Sequence, residues 1–143
     1  MKFEFCSADW VKAAREFVLS AADGVDLANV RISFNEVFTN APPHLDPDVQ
    51  GRIGWFLNIA NGEIEVERGV LDNPDIRISG DYATIVPLAR MVFADAPELG
   101  AKAQELVEDA MNKGLMSREG DETAMADLPW LAGLHDAMAR VTA

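Results

Sequence analysis

A single carboxylate interrupts an apolar pattern in the first third of the chain. Glu36 shares the parity of Phe34 and Phe38, so an extended chain would place the three side chains on one face. A carboxylate held in an apolar pocket has a raised pKa and can act as a general acid or base. Two other interpretations stay open: a β-bulge that resets the parity, and a strand that has already reached the surface. The neighbouring Asn35 and Asn40 either bind a polar ligand group or shape the following loop.

The two histidines are the other candidates for proton transfer or metal binding. His44 lies in a Pro-rich loop beside Asp46 and Asp48, where a solvated side chain is favoured over a metal or base role. His135 lies at the edge of an apolar helical stripe, one residue before Asp136. It is either a general base inside a cavity or, more simply, a packed ring with a satisfied nitrogen.

No motif of phosphate, metal or nucleophile chemistry accompanies these residues. The two histidines lack the paired cysteines of a zinc site, and the chain has neither a phosphate loop nor a G-x-S-x-G elbow. We therefore assign no catalytic residue and expect neither a metal nor a cofactor.

The length, net charge, hydropathy and cysteine content of the chain limit the class of protein to which it can belong. A chain of 143 residues predicts one domain over residues 1–143 with a substantial core. The formal net charge of −12 argues against nucleic acid and against standing attachment to anionic membranes. No apolar run reaches the length of a membrane span, so stable membrane insertion is not expected. Cys6 is the only cysteine, which excludes an internal disulfide and favours a reducing, cytoplasmic compartment.

Residues 50–80 show the period of two that is typical of a half-buried antiparallel sheet. Three short runs alternate between apolar and polar residues, and Asn61-Gly62 supplies the positive φ angles of a tight turn between the first two. An earlier strand is predicted over residues 30–38. The apolar face of the three later runs consists of Ile53, Trp55, Leu57, Ile59, Ile64, Val66, Val70, Ile76 and Ile78.

Apolar residues at spacings of three and four predict helices on both sides of this sheet region. The first helix covers roughly residues 8–22, with Ser7 as its N-cap. The second contains residues 82–93 and has Asp81 as its cap. Pro87 lies inside it, so the regular helix either begins near Pro87 or bends there.

Two further helices and a short strand are predicted in the last third of the chain. A capping-box spacing between Asp95 and Glu98 opens a regular helix that ends at Gly114. Residues 115–119 are interpreted as a late strand, and Asp127 as the start of one continuous terminal helix. Helices and strands segregate along the chain, which is the α+β pattern.

Three ordered blocks carry a family resemblance. Residues 54–62 form an aromatic and apolar strand that ends in an Asn-Gly turn, and residues 74–82 a strand with an early Asp that leads into a helix. Residues 113–121 begin with Lys-Gly-Leu and end in Gly-Asp. In this order and spacing the blocks resemble the sterol carrier protein type-two family, over most of the chain.

The resemblance implies a five-stranded, mainly antiparallel twisted sheet, covered on one face by helices, with an apolar cavity between sheet and helices. In that family the cavity binds sterols, fatty acids, acyl-CoAs or other apolar molecules. The methionines of the second half either line such a cavity or form a soft, solid core. We expect the cavity to be lined by Phe34, Phe38, Trp55, Leu57, Ile85, Met91, Leu106, Met111, Met116 and Met138.

Basic side chains concentrate near the C-terminal helices, at Arg90, Lys102, Lys113 and Arg118. They either meet the anionic head of a ligand at the mouth of the cavity or belong to an ordinary surface of mixed charge.

The favoured prediction is a protein that binds a small apolar or amphipathic ligand, such as a sterol, a fatty acid or another lipid-like molecule, as a carrier or accessory protein. The first alternative is an isomerase-like enzyme that uses Glu36 or His135 as acid or base on a hydrophobic substrate. The second is a non-catalytic interaction module with a filled core. A homodimer through an edge strand or the terminal helix is a further expectation that stays open.

Overall fold

The alternating stretch forms three of the five strands of one sheet in the computed structural model, which describes residues 1–143. Helices precede and follow the four strands β1 to β4, as the α+β pattern predicts. The strands are β1 (Ile32–Thr39), β2 (Ile53–Ala60), β3 (Glu63–Arg68), β4 (Ile76–Asp81) and β5 (Met116–Gly120). The helices are α1 (Ala8–Ala21), α2 (Tyr82–Ala89), α3 (Leu99–Asn112), α4 (Thr123–Ala126) and α5 (Leu134–Arg140).

The sheet is mixed, with the order β3-β2-β1-β4-β5. Three of its four strand pairs are antiparallel, but β1 and β4 run parallel. The prediction of a five-stranded, mainly antiparallel sheet is therefore confirmed, with β4 as the strand that departs from the antiparallel arrangement. After β3 the chain crosses the sheet and adds β4 to the free side of β1.

Asn35 holds this crossover. Its side chain is fully buried, and its Nδ2 donates to the carbonyl oxygens of Trp55, at 2.8 Å, and Gly69, at 3.1 Å. Its Oδ1 accepts from the backbone nitrogen of Leu71 at 2.9 Å. Asn35 therefore satisfies backbone groups of the crossing segment, and the interpretation of it as a ligand-binding residue is wrong.

The predicted helix starts are confirmed at α1 and α2. The Ser7 side chain accepts from the Trp10 nitrogen at 3.2 Å, and the Asp81 side chain accepts from the Thr84 nitrogen at 3.1 Å. Asn40 donates to Asp81 at 2.9 Å, so it shapes the end of β1. Pro87 lies inside α2, which begins at Tyr82 and continues to Ala89, so the helix neither begins nor ends at Pro87.

Two helix predictions in the last third are wrong. The carboxylate of Asp95 does not cap α3, because it forms two hydrogen bonds, 2.8 and 3.1 Å long, with the guanidinium of Arg140. The terminal segment is not one helix: α4 and α5 are separated by a 3₁₀ turn, Pro129–Leu131. Pro129 lacks the backbone N–H that a continuous helix would need, and Gly133 immediately precedes α5. The helix is therefore interrupted at both residues.

The helices pack on the face of the sheet that carries Phe34, Glu36 and Phe38. Helix α1 contacts β3 and α5, α2 contacts β4, and α3 contacts β5. Twenty-two buried residues form the core cluster between these layers. The core is densest beside α1, whereas α3 buries only two residues, Ala103 and Ala110.

Candidate functional site

A pocket of about 750 Å³ lies between the sheet and the helices. Eighteen of its 23 lining residues are hydrophobic, and we call it the apolar pocket. Strand side chains form its floor, whereas its roof consists of side chains from the N-terminal segment, from helices α1 to α5, and from the connecting segments. The floor residues are Phe34, Glu36, Trp55, Ile78, Met116 and Arg118.

Four floor residues form a transverse row across four strands. Trp55 on β2 pairs with Glu36 on β1, which pairs with Ile78 on β4. Ile78 pairs in turn with Arg118 on β5. The β1–β2 register is continuous on both sides of Glu36, which rules out a β-bulge at this position. Glu36 therefore points into the pocket from a regular central strand.

The carboxyl group of Glu36 is anchored by one protein donor. Trp55 Nε1 donates to Glu36 Oε1 at 2.8 Å. Burial raises the pKa of Glu36 from 4.5 to about 7, while the Trp55 hydrogen bond acts in the lowering direction and the charge of Glu122 in the raising direction. The group can thus exchange a proton near neutral pH inside an apolar space.

Arg118 is the only predicted basic candidate that lines the apolar pocket. Its guanidinium lies 3.4 Å from Glu122, so its charge is already partly compensated. Lys113 instead pairs with Asp109 on α3 at 2.9 Å, and Arg90 donates to the backbone oxygen of Ala143. The basic residues therefore do not converge on the pocket mouth.

His135 lines the same pocket as Glu36. Its Nε2 lies 2.8 Å from the carbonyl oxygen of Met91, which can only accept, so Nε2 carries the proton. The ring stacks on Phe93, with centroids 4.6 Å apart. The adjacent Asp136 accepts from the Phe93 nitrogen at 2.9 Å and the Ala94 nitrogen at 3.1 Å. His135 and Asp136 therefore hold the α2–α3 connection against α5.

The structure places six of the ten predicted wall residues around the apolar pocket. They are Phe34, Trp55, Ile85, Met111, Met116 and Met138. Three of the six are methionines of the second half of the chain, where the sequence predicted a methionine-rich lining.

The other four predicted wall residues do not line the pocket. Phe38 packs against the Phe5 ring, with centroids 4.8 Å apart, so the N-terminal segment covers it. Leu57 is fully buried beside its β3 neighbour Val66, and α1 packs on β3. Met91 lies in the turn after α2, and Leu106 is 37% exposed on α3, one position away from the lining residue Val107.

Sequence reasoning missed several lining residues. Phe5 and Trp10 reach the pocket from the start of the chain, and Phe93 reaches it from the α2–α3 connection. On α3, Gln104 and Glu108 are exposed, as their residue types suggest, and they also border the pocket. The spacing of four between Ala103, Val107 and Met111 is the signal that identifies the lining face of this helix.

A second depression, of about 420 Å³, lies beside the start of β2 and the end of β3. Only two of its eight lining residues are hydrophobic, and Asp48 and Arg52 pair with each other inside it at 3.0 Å. His44 lies outside both depressions, exposed and 2.6 Å from Glu4. Because few of its lining residues are hydrophobic and two of its charged side chains pair with each other, the second depression is a weaker candidate site than the apolar pocket.

None of the helices combines the length and the hydropathy that a membrane span requires.

Comparison with known proteins finds similar folds among solved structures. A crystal structure of sterol carrier protein 2 is similar over 96% of this chain and 96% of that chain, with a TM-score of 0.49 and 14% identity. The solution structure of sterol carrier protein domain 2 of Helicoverpa armigera is similar over 100% and 98%, with a TM-score of 0.48 and 14% identity.

A third solution structure, of a conserved hypothetical protein described as possibly a sterol carrier protein, comes from Thermus thermophilus. It is similar over 99% of this chain and 90% of that chain, with a TM-score of 0.45 and 16% identity. The sterol carrier proteins among these structures belong to the family that the three sequence blocks resemble. No family model matches the sequence, and no curated protein matches it. The likenesses concern the fold, so an assignment of function rests on the pocket itself.

Proposed function

We propose that this protein binds a small apolar or amphipathic molecule, such as a sterol, a fatty acid or another lipid-like compound, as a carrier or accessory protein. The observation that carries the proposal is the apolar pocket of about 750 Å³, with 18 hydrophobic residues among the 23 that line it. This volume falls inside the range of roughly 300–1,000 Å³ that is usual for small-molecule sites.

The pocket lining supports a ligand whose shape is not sharply specified. Met111, Met116, Met125 and Met138 all line it, and unbranched thioether side chains adapt to irregular partners. Helix α3 covers one side of the pocket with few buried side chains of its own, so it can move outward at low cost when a ligand enters. A filled core, which the interaction-module alternative requires, fits a space of this volume poorly.

Native mass spectrometry of freshly purified protein tests the proposal. We expect a co-purified hydrophobe that is lost on denaturation, or saturable thermal stabilisation by members of a lipid panel. Repeated empty spectra together with no thermal shift across the panel would contradict the proposal.

A matched pair of variants on α3 localises the binding. Ala103 lines the pocket, whereas Ala101 is exposed on the same helix. Ala103→Phe places a ring in the pocket and should abolish the ligand-induced thermal shift, while Ala101→Phe should retain it. Equal shifts in both variants would place the ligand elsewhere.

An enzyme that acts on a hydrophobic substrate is the second candidate. It is favoured by the Glu36 carboxyl, whose pKa of about 7 suits a general acid or base, and by His135 in the same pocket. The hydrophobe recovered by mass spectrometry would be incubated with wild-type protein and with Glu36→Ala. Chemical conversion by the wild type alone, with binding retained by the variant, would favour catalysis. An unchanged hydrophobe in both would favour the carrier.

A further inference from the structure

The Glu36 carboxyl has one oxygen without a protein donor. Oε1 accepts from Trp55, whereas no side chain or backbone group of the protein donates to Oε2. Two arginines end the same transverse row, Arg68 on β3 and Arg118 on β5, and the backbone of each lies two strands, or about 10 Å, from that of Glu36. Arg68 does not line the pocket, and its guanidinium donates to the carbonyl oxygen of Leu45. Arg118 is also paired with Glu122 at 3.4 Å. When Glu36 is ionised, no basic side chain of the protein therefore forms an ion pair with it.

The charges around the pocket favour a cationic ligand over an anionic one. Glu36 and the exposed Glu108 line the pocket, the exposed Arg118 is its only guanidinium or ammonium group, and Glu122 lies beside Arg118. The whole chain adds a formal net charge of −12. A fatty carboxylate bound with its head at Glu36 would bring a second negative charge into a poorly solvated space, which is unfavourable.

Ammonium, hydroxyl and carboxylate heads differ in what they can offer Glu36. A hydroxyl can donate one hydrogen bond to Oε2 but leaves the carboxylate charge uncompensated. An ammonium has three donors and an opposite charge, so it forms the stronger, charge-assisted hydrogen bond. The hydrocarbon part of the same molecule would contact the surrounding apolar side chains.

We propose that the apolar pocket selects amphiphiles whose polar end is a protonated amine, with the ammonium group bound to Glu36 Oε2 and the hydrocarbon part lying under α3. This assignment rests on the proposed binding function and specifies the chemical class of its ligand.

Three probes of equal chain length test the proposal: dodecylamine, dodecanol and dodecanoate, titrated calorimetrically into the wild-type protein. At about pH 8 an alkylamine is protonated and Glu36 is ionised. We expect dodecylamine to bind about ten-fold or more tighter than dodecanoate, with dodecanol between them. Dodecanoate or dodecanol binding as tightly as dodecylamine would overturn the amine assignment while leaving the carrier function standing. No binding of any probe would instead count against the carrier function.

Two variants that remove the same charge distinguish direct binding at Glu36 from long-range attraction by the negative charge of the whole protein. Glu36→Gln should reduce dodecylamine affinity about ten-fold and leave dodecanol affinity nearly unchanged. Glu65→Gln, on the exposed face of edge strand β3, removes the same charge and should leave both affinities unchanged. Equal losses in the two variants would show that only long-range attraction is involved.

The pH dependence of dodecylamine binding provides a test that needs no change at Glu36. Affinity should fall as the pH is lowered through about 7, because protonated Glu36 no longer carries the charge that pairs with the amine. Cys6 stays neutral across this range, since burial raises the pKa of its thiol to about 12. The other ionisable groups at or beside the pocket are Arg68 on β3, Glu108 on α3, Arg118 on β5, Glu122 just before α4, and His135 on α5.

Histidine side chains as a class titrate near neutral pH, so His135→Gln is the control for this profile. The pH dependence should persist in His135→Gln and disappear in Glu36→Gln. The reverse result would transfer the pH dependence to His135 and overturn the role given to Glu36.

Discussion

The indole nitrogen of Trp55 lies 2.8 Å from Oε1 of Glu36, across the β1–β2 pair on the floor of the apolar pocket. The hydrogen bond stabilises the ionised carboxyl group, whereas its burial destabilises that form. The balance of these two effects leaves the Glu36 pKa near 7. This pair therefore combines a structural anchor with a group that can change its charge at neutral pH.

Trp55→Phe should raise the Glu36 pKa above about 7, because the variant loses the donor but keeps the apolar surroundings. The carboxyl carbon of Glu36, followed by NMR in isotopically labelled protein, measures the change. Trp130→Phe is the matched control, because Trp130 contributes neither to the pocket lining nor to a hydrogen bond with Glu36. An unchanged or lower pKa in Trp55→Phe would show that the indole does not stabilise the ionised form.

Glu36→Gln should make folding less sensitive to pH between about 4.5 and 7. The folded-state pKa of Glu36 is raised, so its full contribution to stability is present below about 4.5 and is lost as the pH rises to about 7. At about pH 8 the variant should be more stable than the wild type by up to about 3 kcal/mol, and at about pH 4 the two should be similar.

Urea unfolding of both proteins over this pH range gives the difference in free energy of unfolding. Asp81 and Asp121 have lowered pKa values in the same protein, chiefly because their carboxylates accept side-chain hydrogen bonds. Their opposite pH dependence is common to both proteins and cancels in the difference. A difference that is constant with pH would contradict the raised pKa.

Asn35→Ala should destabilise the fold by about 3 kcal/mol or more, because it removes a fully buried amide and leaves backbone groups of the crossover without partners. Asn58→Ala, on the neighbouring strand β2, is the control, since the Asn58 side chain makes no hydrogen bond within the protein. Chemical denaturation of the two variants compares them directly. A small effect at Asn35 would mean that the crossover is held by backbone contacts alone.

Gly54→Ala should also be destabilising, since a Cβ at this position would lie 2.6 Å from the Glu36 carbonyl oxygen and 2.7 Å from that of Gly69. Neither backbone atom can move without disturbing β1 or the crossover. Gly100→Ala on α3 meets no atom within 4 Å and should instead stabilise the helix, by up to about 1 kcal/mol. Thermal unfolding of the pair should therefore show shifts of opposite sign, and two shifts of the same sign would contradict this account.

Much of the secondary structure follows from local pattern. The alternation around Trp55 and the Asn61-Gly62 turn predicted β2 and β3, and the caps Ser7 and Asp81 predicted the starts of α1 and α2. These features depend on neighbours in the chain, because side-chain periodicity and capping act over a few residues. The breaks beside Pro129 were also local signals, but the apolar periodicity across them favoured one continuous helix.

The pocket was predicted less completely than the elements that form it. Trp55 and Leu57 share one face of β2, yet only Trp55 lines the pocket. Leu57 is buried beside β3, on which α1 packs, and Phe38 is covered by the N-terminal segment. Parity identifies the face of a strand, but it does not identify what packs on each residue of that face.

By itself, the sequence determined the class of the fold, the alternation of the sheet and the anomaly at Glu36, because each depends on residue type at short spacing. Only the tertiary structure decided that β4 runs parallel beside β1, that Asn35 holds the crossover, and that Trp55 is the partner of Glu36. These relationships join residues far apart in the chain through hydrogen bonds and packing. Their energies depend on how whole elements meet, which short-range patterns do not encode.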